Sequence, residues 1–268
     1  MVDIRARTRT ALIPYQTPLT GSQWGEYRQG GMGIDVSPDG KMVAVGINRG
    51  NRAGQLEIIS TQSHTVMASV VVGIRPFQVL FSNDGSEVYS IDHDSYTVTA
   101  FNLNDRSRRI FDVAVLGYGG FAKPHYAAIN AQGDLLLPIQ GRTLLQLDPK
   151  TGKKTRISLS AQTHQHGVIL SSDELSLFVV GTGPAGKVSG TPVLSRIDLR
   201  DGKETHIPLD VEHEQIVLSV DGKTAYLTGG NSYTGGWDGI SVIDLTNNEI
   251  TSIKVADQPL GIALWLTK

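Results

Sequence analysis

Three ionisable side chains, His125, His166 and Glu214, are the residues of this 268-residue chain best suited to chemistry. Two imidazoles and a carboxylate have two uses. A free imidazole titrates near pH ~6.5 and can take or give a proton at neutral pH. Two neutral imidazoles and a carboxylate can also hold Zn²⁺ or a similar divalent ion and leave one coordination position open. Ligand distances decide between proton transfer and metal binding, and a sequence contains none. The expected cofactor is therefore either none or one divalent metal ion on these same three residues.

Their spacing points to a repeat. Six segments begin alike, with an apolar run whose second residue is Met32, Phe77, His125, His166, Glu214 or Leu260. In the first five a polar turn follows: Ser37-Pro38-Asp39-Gly40, Ser82-Asn83-Asp84-Gly85, Asn130-Ala131-Gln132-Gly133, Ser171-Ser172-Asp173-Glu174 and Ser219-Val220-Asp221-Gly222. A second apolar run comes next, then two more strands around another polar turn, as in Leu144 to Asp148 and Thr155 to Leu159. A period of about 45 residues suits one four-stranded propeller blade. Glycine in the turns supplies positive φ for a hairpin. β-branched residues dominate the runs, and no long helical periodicity competes with them.

The expected fold is all-β: one β-propeller over residues 1–268 with about six four-stranded blades, starting near residues 31, 76, 124, 165, 213 and 259. Residues 1–29 form its closing segment. Five units are complete, whereas the sixth has only an inner strand at Leu260 to Leu266. The stretch Ile4 to Pro14 is expected to supply its outer strands, because an open sheet edge is a pairing hazard. The run Pro259-Leu260-Gly261-Ile262-Ala263, the turn at 37 to 40 and the strand Ile240-Ser241-Val242-Ile243-Asp244-Leu245 resemble the YVTN-type β-propeller repeat, which also occurs in lactonase-like propellers. The resemblance runs from about Gly30 to the end. It implies the fold and carries over no catalytic residue, since propellers host many activities.

In such a fold the second residue of each unit lies at one rim of the channel. Three consecutive blades then present His125, His166 and Glu214 at equivalent places. His164 and His213 flank them, and Phe77 occupies the same position one blade earlier. Loops on that face bring Arg142, and the long glycine-rich segment 229–239 brings Tyr233 and Trp237. These six are expected to bind substrate. Trp24, Tyr27 and Arg28 are expected to cover the same rim. The expected function is an enzyme acting on a small organic molecule, of the lyase, isomerase, cyclase or lactone hydrolase type. The alternative is a non-catalytic scaffold that binds a protein or a metal ion through its rim.

Composition excludes several classes. The formal net charge is −2 with no basic block, which argues against nucleic acid as partner. No run approaches the ~18 apolar residues of a spanning helix. There are no cysteines, hence no disulfide, thiol nucleophile or thiolate metal site. Met1-Val2-Asp3-Ile4-Arg5 shows no apolar leader. A cytoplasmic location and a secreted one with its leader removed both stay open. Gly117-Tyr118-Gly119-Gly120 and Gly181-Thr182-Gly183-Pro184-Ala185-Gly186 open no helix and are not read as phosphate loops. Arg106, Arg108 and Arg109 read as a solvated turn. Asp92-His93-Asp94 has ligand residue types on a loop too tight to converge them. His64 and His206 fall on outer strands, and no nucleophile elbow suggests a serine triad.

Overall fold

The computed structural model describes residues 1–3, 5–22, 28–114, 122–139, 141–163, 167–183, 191–229, 238–255, 259 and 261–264. The chain divides into two compact units, residues 1–116 and 117–268. Every regular element among the described residues is a strand.

Unit one opens with β1 (Val2–Asp3) and β2 (Thr8–Arg9), which pair with each other as a two-stranded sheet. Its first four-stranded sheet runs β3 (Gly30–Val36), β4 (Met42–Asn48), β5 (Ala53–Ser60) and β6 (Val66–Ile74). The second runs β7 (Pro76–Phe81), β8 (Glu87–Asp92), β9 (Thr97–Asn102) and β10 (Arg108–Asp112). Unit two holds the third sheet, β11 (Ala128–Ile129), β12 (Leu135–Ile139), β13 (Thr143–Leu147) and β14 (Lys154–Ser158). The fourth is β15 (Val168–Leu170), β16 (Ser176–Gly181), β17 (Val193–Asp198) and β18 (Glu204–Pro208). The fifth is β19 (His213–Leu218), β20 (Thr224–Gly229), β21 (Gly239–Asp244) and β22 (Ile250–Lys254). All pairings are antiparallel between consecutive strands, so these five units match the repeat read from the sequence. The expected sixth unit includes Leu260, Trp265 and Leu266, which lie outside the described residues.

Side-chain alternation explains why the second strands read as unbroken apolar runs. In β16, Leu177 and Val179 pack with Leu136 and Leu144 of the third sheet. Phe178 and Val180 pack with Ile216 and Leu227 of the fifth. A strand buried on both faces needs apolar residues at every position, not every other one. The outermost strand β22 has only one face to bury and is exposed throughout.

Four of the five hairpins between first and second strands are closed by the same side chains. Ser37 Oγ donates to Asp39 Oδ1 (2.7 Å) and accepts the Met42 N–H (2.9 Å). Ser82 with Asp84, Ser171 with Asp173 and Ser219 with Asp221 repeat the arrangement at 2.6 Å. In the third sheet Asn130 Oδ1 takes over and accepts the Asp134 N–H. These donors hold the turn aspartates below the usual carboxylate range, Asp84 at about 2 with the Ser82 hydroxyl as the largest cause.

Beyond the hairpin, the N-terminal segment forms a strap. Ile13 and Leu19 pack on Val45, Ile47 and Ile59 of the first sheet. Between them, Thr17 donates both its N–H (2.7 Å) and its hydroxyl (2.5 Å) to Glu57 Oε1, a fully buried carboxylate. A buried charge without donors is costly, so the strap is a necessary partner of β5. Replacing Thr17 by Val removes one donor while keeping shape. The expected loss is about 1–2 kcal/mol in urea denaturation, and an unchanged midpoint would mean that the strap is dispensable.

Candidate active site

The site begins with a backbone irregularity. In β19, His213 faces Gly229 and Ile216 faces Leu227, so Glu214 and Gln215 together stand opposite the single Thr228. The same extra residue occurs in β3, where Met32 and Gly33 oppose Gly46. In β7 Phe77 is the extra residue, between the pairs Pro76↔Asp92 and Gln78↔Ile91. Ahead of β11, Pro124 bridges Ile139 and Ala128 faces Leu136, so His125, Tyr126 and Ala127 share two partners. The repeat position that carries chemistry-bearing residues is thus a β-bulge in each of these four first strands. A bulge breaks the ladder and re-aims a side chain that regular alternation would bury or pair.

Close packing fixes the bulges in place. A Cβ at Gly167, just before β15, would lie 2.6 Å from the Glu214 carbonyl oxygen and 3.1 Å from Gln215 Cα. At Gly33 it would lie 2.7 Å from Gln78 Cα. The third residue of the repeat is therefore glycine where the next first strand passes directly against it.

Glu214 is the electrostatic centre of unit two. Its carboxyl is pushed up to about 7, chiefly by desolvation and further by the charge of Glu212, against the lowering effect of Tyr126. The Tyr126 hydroxyl donates to Glu214 Oε1 at 3.3 Å. Tyr126 belongs to the third sheet and Glu214 to the fifth, so this bond spans two sheets that are not consecutive. Burial first, then the Glu214 charge, raises the Tyr126 phenol far above its usual ionisation, and it stays protonated. His125 presents its ring edge-on to Tyr126, with centroids 6.3 Å apart.

His125 and Glu214 are thus linked through Tyr126, a residue the sequence reading did not single out. The available signal was its departure from the Gly or Gln at the third repeat position elsewhere: Gly33, Gln78, Gly167, Gln215 and Gly261. His213 is placed differently from the expected substrate contact. It is 1% exposed, and its Nε2 lies 2.9 Å from Ser241 Oγ inside the fifth sheet. Burial depresses its imidazole to about 4. Arg142 is exposed in the turn just before β13. His164, His166, Tyr233 and Trp237 lie outside the described residues, as do Trp24 and Tyr27. Among the described residues no three His, Asp or Glu side chains converge to hold a metal ion.

Phe77 lies in unit one, in its own polar cluster. Its ring packs 5.4 Å from His93, and Arg75 lies over it at 5.7 Å. His93 Nδ1 meets Asp94 at 2.7 Å, while Asp92 turns into the sheet. There Asp92 takes the Ser90 and Thr99 hydroxyls at 2.6 Å each. Burial pushes the Asp92 carboxyl up to about 6 against those donors. His93 and Asp94 thus meet each other, where the tight loop was expected to part them, and only Asp92 turns away. Arg109, read from sequence as solvated, instead pairs with Glu87 and stacks over Phe111.

Repeated four-stranded antiparallel sheets, joined in sequence order and packed face to face within each unit, define a β-propeller. No protein-family model and no curated protein matches the sequence. Solved structures of the same fold include one described as Kuenenia stuttgartiensis hydrazine synthase. It has a TM-score of 0.71 at 16% identity, covering 90% of this chain and 71% of that one. A second is streptogramin B lyase, at TM-score 0.63 and 16% identity, covering 85% and 70% of the two chains. Identity this low speaks to architecture alone.

Two neighbouring residues give opposite pH dependences. Glu214 binds its proton more tightly folded than unfolded, so its contribution is full in acid and lost as pH rises through about 7. His213 is the reverse: its contribution is present above the unfolded value and lost as pH falls through about 4. Glu214→Gln is therefore expected to stabilise the protein at pH 8, by at most about 3 kcal/mol, with the gain vanishing toward pH 4. Denaturant titrations at both pH values check this. Gly167→Ala should lower stability by about 1–3 kcal/mol through the clash with the Glu214 carbonyl, and a neutral result would remove the close-packing argument.

Proposed function

We propose that this propeller is an enzyme acting on a small organic molecule by proton transfer, with Glu214 as the acid–base group. The reading rests on one observation: the Glu214 carboxyl, which desolvation pushes up to about 7, accepts the hydroxyl of a buried Tyr126 at 3.3 Å, a phenol that burial keeps protonated. At neutral pH such a carboxyl populates both forms, which suits abstraction of a proton in one step and its return in the next. Tyr126 remains a hydrogen-bond donor throughout. It orients the carboxylate, or donates to an oxygen on which negative charge develops. His125, beside Tyr126, and His166 are the further proton carriers of this proposal. Abstraction next to a carbonyl with expulsion of an oxygen leaving group, or opening of a lactone, fits these groups. The streptogramin B lyase is a fold-level precedent for lyase chemistry.

A divalent ion on His125, His166 and Glu214 would demand an ionised Glu214 and hold its titration far below 7. The same experiment addresses both versions. In protein labelled with carboxyl-¹³C glutamate, one side chain is expected to titrate near 7. Tyr126→Phe should move it higher and Glu212→Gln lower. Addition of Zn²⁺ should leave it in place. Against a panel of γ- and δ-lactones and elimination-prone esters followed by NMR, Glu214→Gln should lose at least about 100-fold in rate. A Glu214 carboxyl at the ordinary value, or a Glu214→Gln variant as active as the parent, would overturn the proposal.

A further inference from the structure

Unit two holds a second cluster, remote in sequence from the Glu214 bulge. Ser195 on β17 and His206 on β18 are directly paired, and Glu204 lies two residues before His206, so the three share one sheet face. Ser160, exposed in the segment after β14, meets that face from the neighbouring sheet. Four contacts close a cycle. Ser160 Oγ lies 2.8 Å from Glu204 Oε2 and 2.8 Å from His206 Nε2. Ser195 Oγ lies 2.8 Å from Glu204 Oε1 and 3.2 Å from His206 Nδ1.

A count of hydrogens fixes the protonation of this cycle. Burial works to raise the Glu204 carboxyl, but the Ser160 N–H, the two serine hydroxyls and His206 outweigh it and hold the group below its ordinary value. An ionised carboxylate only accepts, so each serine gives it its one hydrogen. Both serine oxygens are then left to accept from His206. A neutral imidazole has one N–H, so the four contacts would share three hydrogens. An imidazolium has two and completes all four. Glu204 Oε1, 3.7 Å from Nδ1, balances its charge.

We propose that His206 is an imidazolium in this cycle, and that the cycle is a pH-dependent clasp, closed in acid, which fastens the segment after β14 to β17 and β18. Loss of the His206 proton leaves one serine hydrogen to serve two acceptors. Ser195 is 2% exposed and fixed in β17, whereas Ser160 is exposed on a connection, so Ser160 is the member that lets go. Glu204 is the charged group that faces His206. Arg196 on β17 pairs with Thr205 and turns to the other face, over Phe178. On the third sheet, alternation sends Lys154 and Arg156 away from Ile157, which packs toward the fourth. Arg142 adjoins the segment through its carbonyl, which takes the Leu159 N–H. The clasp uses no group of the Glu214 site.

The test is amide hydrogen exchange of the intact chain between pH 5.5 and pH 8.5, followed by NMR and corrected for intrinsic rates. The Ser160 N–H donates to Glu204 Oε2 and reports on the clasp. It is expected to lose at least about tenfold in protection toward pH 8.5. The midpoint of that loss should coincide with the titration of the His206 ring, read from its ¹⁵N shifts. In His206→Gln the protection should be the same at both ends of the range. Should that variant not fold, Ser195→Ala, which removes the Nδ1 acceptor, should abolish the step in the same way. Equal protection of Ser160 at both pH values in the parent, a midpoint apart from that of His206, or a step that survives both substitutions would overturn the clasp.

Discussion

The close passage of one first strand against the next governs unit two. Gly167 has no side chain because the Glu214 carbonyl occupies that space. On the same strand, the bulge opposite Thr228 takes Glu214 out of the regular ladder. The consequence is electrostatic. A carboxylate crowded by protein loses hydration that one phenolic hydrogen bond at 3.3 Å does not replace, and its proton affinity rises.

The same strand shows how sharply environment decides chemistry. His213 and Glu214 are adjacent, yet one is sealed into the sheet against Ser241 while the other is turned out by the bulge. Desolvation disfavours the charged form of both. It pushes an acid up and a base down, so both neutral forms gain near pH 6. Two consecutive residues are thus uncharged where free side chains would be largely ionised or half-ionised.

Much of the architecture was legible because it is periodic. The Ser-x-Asp turns recur with their donors and acceptors in place, and Asn130 shows how the one exception manages with an amide. The repeat position also picked out Glu214 and His125, and Tyr126 contacts both. The bulge itself was not legible, since it adds a residue without any special residue type. Grouping His213 with its neighbour ignored that adjacent strand residues point to opposite faces. The contact of Ser160 with Glu204 and His206 was beyond reach for another reason. Its members come from segments 44 and 46 residues apart that meet only when two sheets pack laterally, and no turn motif advertises that packing.

The repeat therefore separates two kinds of position that look equally variable on paper. At its third place, the first and fourth repeats are locked to glycine by a neighbour's backbone, while the third repeat has a tyrosine reaching across to another sheet. At its second place Met32, Phe77, His125 and Glu214 are each held by a bulge that asks nothing of side-chain size or charge. A scaffold of this kind can change its chemistry one blade at a time without renegotiating its core. For anyone diversifying this protein, the second place is where new reactivity can be written, and the third is where the page is already full.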